Sequence, residues 1–251
     1  MASESDGGPV QFYDFGQFKD FHYPNARAGF ASTHPTSSLN GKTVIGDVHE
    51  TQSFLWFHDH RFDFTAQNTY KGLASFYTLF SDDILLDTGD ETTGLRLPSG
   101  PFDIPMIFTD KIFDPTSGQL FFDLFNLAGI LGDKYTVNGK IQPYLEVRQR
   151  KYRFRFLDGG PSRVYEFFRS DGQPFIQISN DGNLLPRPLT RHSIRVSIAE
   201  RGGPGDDLGG GDVGRLSGAP GYRGRATPPE HDPRGAGAHP LPQCCPPDPG
   251  R

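Results

Sequence analysis

Short apolar runs recur along the chain up to about residue 200, and turns rich in Gly, Pro, Asn and Asp separate them at a spacing of about ten residues. The run RKYRFRFLD alternates in character. Tyr152, Phe154 and Phe156 fall on one face of a strand. Arg153 and Arg155 fall on the other face. This alternation predicts a β-strand with one face in the core.

The other runs predict the same kind of element. Strands are predicted in FLWFHDH, GLASFYTLF, FDIPMIFTDKIF, YEFFRS, PFIQISND and HSIRVSIAE. The pair Asn138-Gly139 predicts a tight hairpin, because both residues tolerate the positive φ that such turns need. TAQNTYKGLAS, which follows the histidines of FLWFHDH, predicts one short turn of helix. Several short strands at this spacing indicate an all-β protein built of sandwiches or barrels.

The composition changes abruptly near residue 202. All 22 Phe residues precede that point, and Gly and Pro supply 23 of the 50 residues in 202–251. Such a segment buries too little apolar surface to offset the entropy of ordering, so we predict a disordered tail. It is either a natural flexible tail or GC-rich DNA read in a wrong frame. We favour the frameshift, because the break falls inside the apparent strand RHSIRVSIAER.

Charge and cysteine content exclude several classes of protein. A net charge of −5 and a pI near 5.9 argue against a nucleic-acid partner. No apolar run is long enough to predict a membrane-spanning helix, and the first residues do not resemble a signal peptide, so the compartment stays open. The only cysteines, Cys244 and Cys245, are adjacent, which excludes a disulfide framework and a Cys-based zinc site in the body of the chain.

The stretch FLWFHDHRFDF carries the candidate chemistry. His58 and His60 are two apart, so a strand would place both imidazoles on one face and Asp59 on the other. Neutral imidazole suits Cu, Zn and Fe, although two ligands alone do not complete a site. The alternative is a pair of surface histidines at a barrel edge. The apolar neighbours, Trp56 among them, favour a metal role, because buried imidazoles need partners.

Three long segments resemble the multicopper oxidases, in particular their bilirubin oxidase and spore coat protein A branch. LWFHDHRFDFTAQNTYKGLASFY is similar to a copper-binding strand of that family. RLPSGPFDIPMIFTDKIFDPTSGQLFFD and LGDKYTVNGKIQPYLEVRQRKYRFRFLDGGPSRVYEF resemble parts of its second cupredoxin domain. The resemblance covers roughly residues 1 to 201. It implies Greek-key β-sandwich or barrel domains of the cupredoxin kind, the first of them incomplete.

The resemblance also divides the chain. We expect the C-terminal part of cupredoxin domain 1 in residues 1–86, with an insertion at 26–53, a linker at 87–100, most of domain 2 in 101–201 and the disordered tail in 202–251. A first domain cut in mid-sheet predicts an open sheet edge and an exposed apolar face.

In that family the matching histidines bind copper. The resemblance implies that His58 and His60 are ligands of the type 3 copper pair, and that they are two of the eight histidines of a trinuclear cluster. It further implies that Asp6 is an acidic residue near the cluster that supports proton delivery; the alternative is an exposed aspartate without a role. The sequence holds no H-C-H segment. We therefore expect an incomplete cluster, no type 1 copper site, and a chain that starts after the first histidine pair.

The function implied is that of a fragment of a copper-dependent oxidase. The parent enzyme would couple one-electron oxidation of phenolic, tetrapyrrole or metal-ion substrates to the reduction of O2 to water. Its partners would be O2 and a small reducing substrate, with neither nucleic acid nor membrane. We expect this chain to be inactive alone. The alternative is a non-catalytic copper-binding or structural β-sandwich protein.

Overall fold

The computed structural model describes residues 8–11, 13–23, 36–39, 41–45, 53–126, 129–207 and 215–217. These residues form strands, one α-helix and one 3-10 helix. The helices are α1 (Thr65–Tyr70) and a 3-10 turn (Gly100–Phe102). The strands are β1 (Thr36–Leu39), β2 (Lys42–Ile45), β3 (Ser53–His58), β4 (Ala74–Leu79), β5 (Asp103–Phe113), β6 (Leu120–Phe121), β7 (Lys134–Val137), β8 (Lys140–Ile141), β9 (Tyr144–Glu146), β10 (Lys151–Asp158), β11 (Tyr165–Phe168), β12 (Phe175–Asn180), β13 (Asn183–Arg191), β14 (Ser193–Val196), β15 (Arg201–Asp207) and β16 (Arg215–Ser217).

One large sheet dominates the second half of the chain. Its strands lie in the order β13-β12-β15-β10-β5-β7-β8, and β6 pairs with β5 beside this path. Strands β5 and β10 are parallel, and the other pairs in the sheet are antiparallel. The strand pairs β11-β14 and β9-β16 lie outside it. The all-β prediction is confirmed.

The core lies between the large sheet and the β11-β14 pair. Phe108 of β5 and Phe156 of β10 contact Phe167 of β11, with ring centroids 4.4 and 4.7 Å apart. The core cluster also includes Phe154, and Val196 of β14. Two layers that bury their facing aromatic side chains form a β-sandwich.

The predicted hairpin is present between β7 and β8. Asn138 and Gly139 adopt φ values of 50° and 78°, as a two-residue hairpin turn requires. The Asn138 side chain also accepts a hydrogen bond from the N–H of Ile107 at 2.8 Å and donates one to the carbonyl of Pro105 at 3.0 Å. The turn is therefore fixed to β5 as well as to its own strands.

The histidine-bearing segment forms a separate small sheet. Strands β3 and β4 pair antiparallel and are joined by α1, which confirms the short helix predicted after the histidines. The small sheet contacts the large sheet through β15: the Arg201 guanidinium donates a hydrogen bond to the carbonyl of Phe54 at 3.4 Å.

Two of the predicted segments, the insertion and the tail, include residues that the structure describes. Strands β1 and β2 pair with each other inside the predicted insertion at 26–53. Strand β15 pairs with β10 and β12 and runs to Asp207, so the sheet includes 202–207, which the sequence analysis placed in the tail. The reason is that ladder hydrogen bonds use the backbone, so a Gly-rich segment can still pair. Apart from 215–217, the rest of the tail lies outside the described residues.

Candidate metal centre

The two histidines lie at the end of β3. His58 is the last residue of the strand and pairs with Ala74, and His60 follows in the turn that leads to α1. Their ring centroids are 5.7 Å apart and the ring planes differ by 30°. The Trp56 ring lies 4.5 Å from the His58 ring. The expectation that the imidazoles lie together is therefore met, although the strand ends before His60.

The hydrogen bonding of His58 orients its ring. Nδ1 lies 2.8 Å from the carbonyl oxygen of Asp59. A carbonyl oxygen can only accept, so Nδ1 is the donor in this contact and Nε2 takes no part in it. Histidines that bind metals commonly donate their second ring N–H to a carbonyl or a carboxylate in this manner. His58 is thus oriented so that Nε2 is the ring nitrogen that could bind a metal.

Asp59 holds the turn between the two histidines. Its Oδ1 accepts hydrogen bonds from the Asn68 side chain at 2.9 Å and from the N–H of Arg61 at 3.1 Å. Its own N–H donates to the carbonyl of Leu73 at 3.0 Å. The carboxylate is therefore occupied in the turn. Asn68 is not among the site residues predicted from the sequence; its position in NTYKG after the histidines was its only signal.

Tyr70, the last residue of α1, joins this segment to β5. Its side chain has no exposure to solvent. The phenol oxygen accepts a hydrogen bond from the N–H of Ile112 at 2.7 Å, and the Lys111 ammonium donates to the Tyr70 carbonyl. Burial raises the pKa of Tyr70 and lowers that of Lys111 to about 8. No sequence pattern linked these residues, which are about forty positions apart.

The surroundings of the pair are open on one side. His58 is half-buried and His60 is exposed. Phe57 and Phe62 are 55% and 62% exposed. The N-terminal segment lies close by, because the N–H of Phe62 donates to the carbonyl of Pro9 at 2.7 Å. The imidazoles are therefore accessible to an ion or to another polypeptide segment.

Two imidazoles in this arrangement fit part of a copper site, because copper accepts neutral imidazole readily. Among the described residues, no group of three or more His, Cys, Asp and Glu side chains could hold a metal ion. Asp6 lies outside the described residues. No helix in the described part of the chain is long and apolar enough to cross a membrane.

Comparisons with known proteins point in one direction. No protein-family model matches the chain. The chain is 34% identical over 218 residues to a laccase of Bacillus subtilis (strain 168), which covers 79% of this chain and 36% of that protein. It is also 34% identical over 202 residues to a bilirubin oxidase of Albifimbria verrucaria, covering 78% and 30% of the two chains.

Solved structures give the same result. The crystal structure of McoA multicopper oxidase from Aquifex aeolicus matches with a TM-score of 0.54 and 30% identity, over 67% of this chain and 37% of that one. A laccase from Pediococcus acidilactici matches with a TM-score of 0.55 and 28% identity, over 66% and 34%. This chain spans about a third of the length of the relatives that it matches.

Proposed function

Because the chain belongs to the multicopper oxidase family, we propose that it supplies the His58–His60 pair as ligands of a type 3 copper centre. The observation that supports this most directly is the geometry of the pair. The two rings lie 5.7 Å apart, and Nδ1 of His58 donates to the Asp59 carbonyl, which leaves Nε2 as the nitrogen available to a metal.

The reaction proposed for the whole oxidase is the removal of single electrons from a phenolic, tetrapyrrole or metal-ion substrate, with reduction of O2 to water. Copper supplies one-electron redox chemistry, and O2 takes four electrons and four protons to give two water molecules. Relatives named laccase and bilirubin oxidase support phenols and tetrapyrroles as substrates.

Residues of this chain orient the ligands. Asp59 holds the turn through Asn68, and its carbonyl accepts the hydrogen bond from Nδ1 of His58. We assign Asp6 to proton delivery near the copper centre, since a carboxylate can hand protons to a reduced oxygen species. That role rests on the resemblance of the motif S-D-G at Ser5–Gly7.

The entry of electrons from a substrate is not assigned to any residue of this chain. The sequence contains no H-C-H segment, and both cysteines lie in 202–251 without a neighbouring histidine. We propose that this chain carries an incomplete trinuclear cluster and no type 1 copper site, and that by itself it does not turn over.

Copper titration tests the ligand assignment. Trp56 is the only tryptophan, and its ring lies 4.5 Å from His58, so bound Cu(II) should quench its fluorescence. We expect the double variant His58→Ala, His60→Ala to lose at least about tenfold in affinity, because it removes the ligands themselves. The matched control is His192→Ala, an exposed histidine between β13 and β14.

The outcomes are distinct. Quenching in the wild type and in the control, but not in the double variant, supports the assignment. Equal quenching in all three proteins would show that His58 and His60 do not bind copper. It would remove the non-catalytic copper-binding reading as well, because that reading uses the same two residues.

A further inference from the structure

The segment between the two strands of the small sheet is closed by its own hydrogen bonds. We call residues 59–73 the histidine loop. The N–H of Asp59 donates to the carbonyl of Leu73, and the N–H of Leu73 donates to the carbonyl of Asn68, both at 3.0 Å. The Asn68 side chain also donates a hydrogen bond to Oδ1 of Asp59 at 2.9 Å. The position of Asp59, and of His60 next to it, therefore depends on where α1 lies.

The end of α1 is fixed from outside the loop. Two consecutive residues of β5 contact Tyr70: Ile112 through its N–H, and Lys111 through its ammonium group. The ammonium nitrogen also lies 4.3 Å from the centroid of the Tyr70 ring, within reach of a cation–π contact. The Phe122 ring also packs against the Tyr70 ring, with a centroid separation of 5.2 Å. Strand β5 thus holds the loop that carries His60.

The burial of Lys111 costs a desolvation free energy that a purely structural contact does not require. It is buried, with 8% of its surface exposed. Burial lowers its pKa to about 8, against the opposing effect of Asp110, so its charged form is disfavoured in the folded protein. An apolar side chain of similar size would avoid that desolvation and would commonly leave a protein equally or more stable. What an apolar side chain cannot do is donate a hydrogen bond to the Tyr70 carbonyl.

We propose that Lys111 is a positioning residue for the copper ligands His58 and His60. It acts through Tyr70: the ammonium group fixes the end of α1, Asn68 on that helix fixes Asp59, and Asp59 sets the placement of the two rings. The inference rests on the proposed function, because it concerns the same ligand pair.

The test compares Lys111→Met with the wild type and with Lys140→Met in the full chain. Lys140 is an exposed lysine on β8 and serves as the matched control. Copper affinity is measured by quenching of Trp56 and the ligand geometry by the Cu(II) EPR spectrum. In the copper-free protein, hydrogen exchange is followed at the amides of Asp59 and Leu73. Urea denaturation gives the stability.

We expect Lys111→Met to bind Cu(II) about tenfold more weakly, as is common when a group that orients a ligand is lost. Its EPR hyperfine splitting should change, and the Asp59 and Leu73 amides should exchange faster without copper. Stability should not fall, because a buried charge has been removed. Lys140→Met should match the wild type in all four measurements.

Three results would overturn the inference. One is unchanged affinity and EPR spectrum in Lys111→Met. Another is affinity and stability that fall together, which is what a general loss of packing would give. If Lys111→Met does not fold, Lys111→Leu removes the same hydrogen-bond donor, and an unchanged affinity in that variant is the third. Failure of the proposed function is separate: the wild type and the His58→Ala, His60→Ala variant would then bind copper equally.

Discussion

Asp158 ends β10 with a side chain that is fully buried. Its Oδ1 accepts a hydrogen bond from the N–H of Gly160 at 3.0 Å, whereas its Oδ2 has no hydrogen-bond partner among the described residues. Burial, together with the nearby carboxylates of Asp110 and Glu200, raises the pKa of Asp158 to about 8. The side chain is therefore a neutral carboxylic acid at pH 6.

This pKa makes the stability depend on pH. The folded pKa lies above the unfolded value near 4, so the native state holds the proton more tightly. The contribution of Asp158 to the free energy of unfolding is full below about pH 4 and is lost as the pH rises through about 8. Asp158→Asn cannot ionise. We expect it to equal the wild type at pH 4 and to exceed its stability by on the order of 5 kcal/mol at pH 9, since a gap of about four pKa units is worth about 1.4 kcal/mol per unit.

Urea denaturation at several pH values between 4 and 9 measures that difference. Asp133→Asn is the control, because the Asp133 side chain is 59% exposed and pairs only with Lys134 in the ion pairs of the described residues. Its curve should run parallel to that of the wild type. A constant difference between Asp158→Asn and the wild type over this range would show that Asp158 is ionised in the folded protein.

Strand β10 shows what sequence alternation can and cannot predict. Tyr152, Phe154 and Phe156 enter the core as the pattern indicates. Arg153 and Arg155 face the other way but are only 2% exposed. Their burial depends on Asp87, on Asp103 of β5, and on the rings of Phe54 and Phe80, all more than fifty positions away in the sequence. Period-two patterning reports which face a residue takes, not what later covers that face.

Ion pairs attach both the predicted linker, 87–100, and the start of β5 to β10. Arg153 pairs with Asp87, and Arg155 forms two hydrogen bonds with Asp103, at 2.7 and 2.6 Å. Phe54 and Phe80 each lie 5.6 Å from the Arg155 guanidinium. Buried ion pairs add little net stability, but the loss of one partner leaves an uncompensated charge. The attachment to β10 therefore requires that both the Arg153–Asp87 pair and the Arg155–Asp103 pair stay intact.

Asp87→Asn should therefore be strongly destabilising. Removal of the carboxylate charge leaves Arg153 buried with only a distant Asp103, 3.9 Å away. We expect a loss of about 3 kcal/mol in the free energy of unfolding, measured by urea denaturation. The control is Asp171→Asn, which breaks an ion pair with Arg169 whose carboxylate side is 51% exposed and should cost less than about 1 kcal/mol. Equal losses in the two variants would contradict this account.

The candidate site divides in the same way between predictable and unpredictable elements. The spacing of His58 and His60 and the short helix after them could be read from the sequence, because both depend on local periodicity. The contact of Tyr70 with Lys111 and the inclusion of 202–207 in the sheet could not. Both depend on long-range placement, and composition alone suggested that the Gly-rich segment would not pair. The predicted roles of His58, His60 and Asp6 stay predictions.

At the scale of the molecule, the small sheet is held by its contacts with the large sheet. A two-stranded sheet is marginal by itself. Here Arg201 contacts Phe54, and β5 holds Tyr70. Apolar side chains of the small sheet and its loop are exposed to solvent: Leu73 is 57% exposed and Phe62 is 62% exposed.

The isolated chain is expected not to reduce O2. After copper loading, the purified chain should show no O2 uptake with a phenolic dye, because two histidines do not provide the ligands for electron entry and for a trinuclear cluster. An oxygen electrode measures uptake, and a full-length laccase assayed under the same conditions is the positive control. The copper content of both proteins is determined in parallel, so that absence of uptake is not confused with absence of metal. Uptake by the isolated chain with four electrons consumed per O2 would refute the proposal that it is inactive alone. It would also require that other side chains of this sequence bind copper, and repeating the assay with His58→Ala, His60→Ala would show whether the pair takes part.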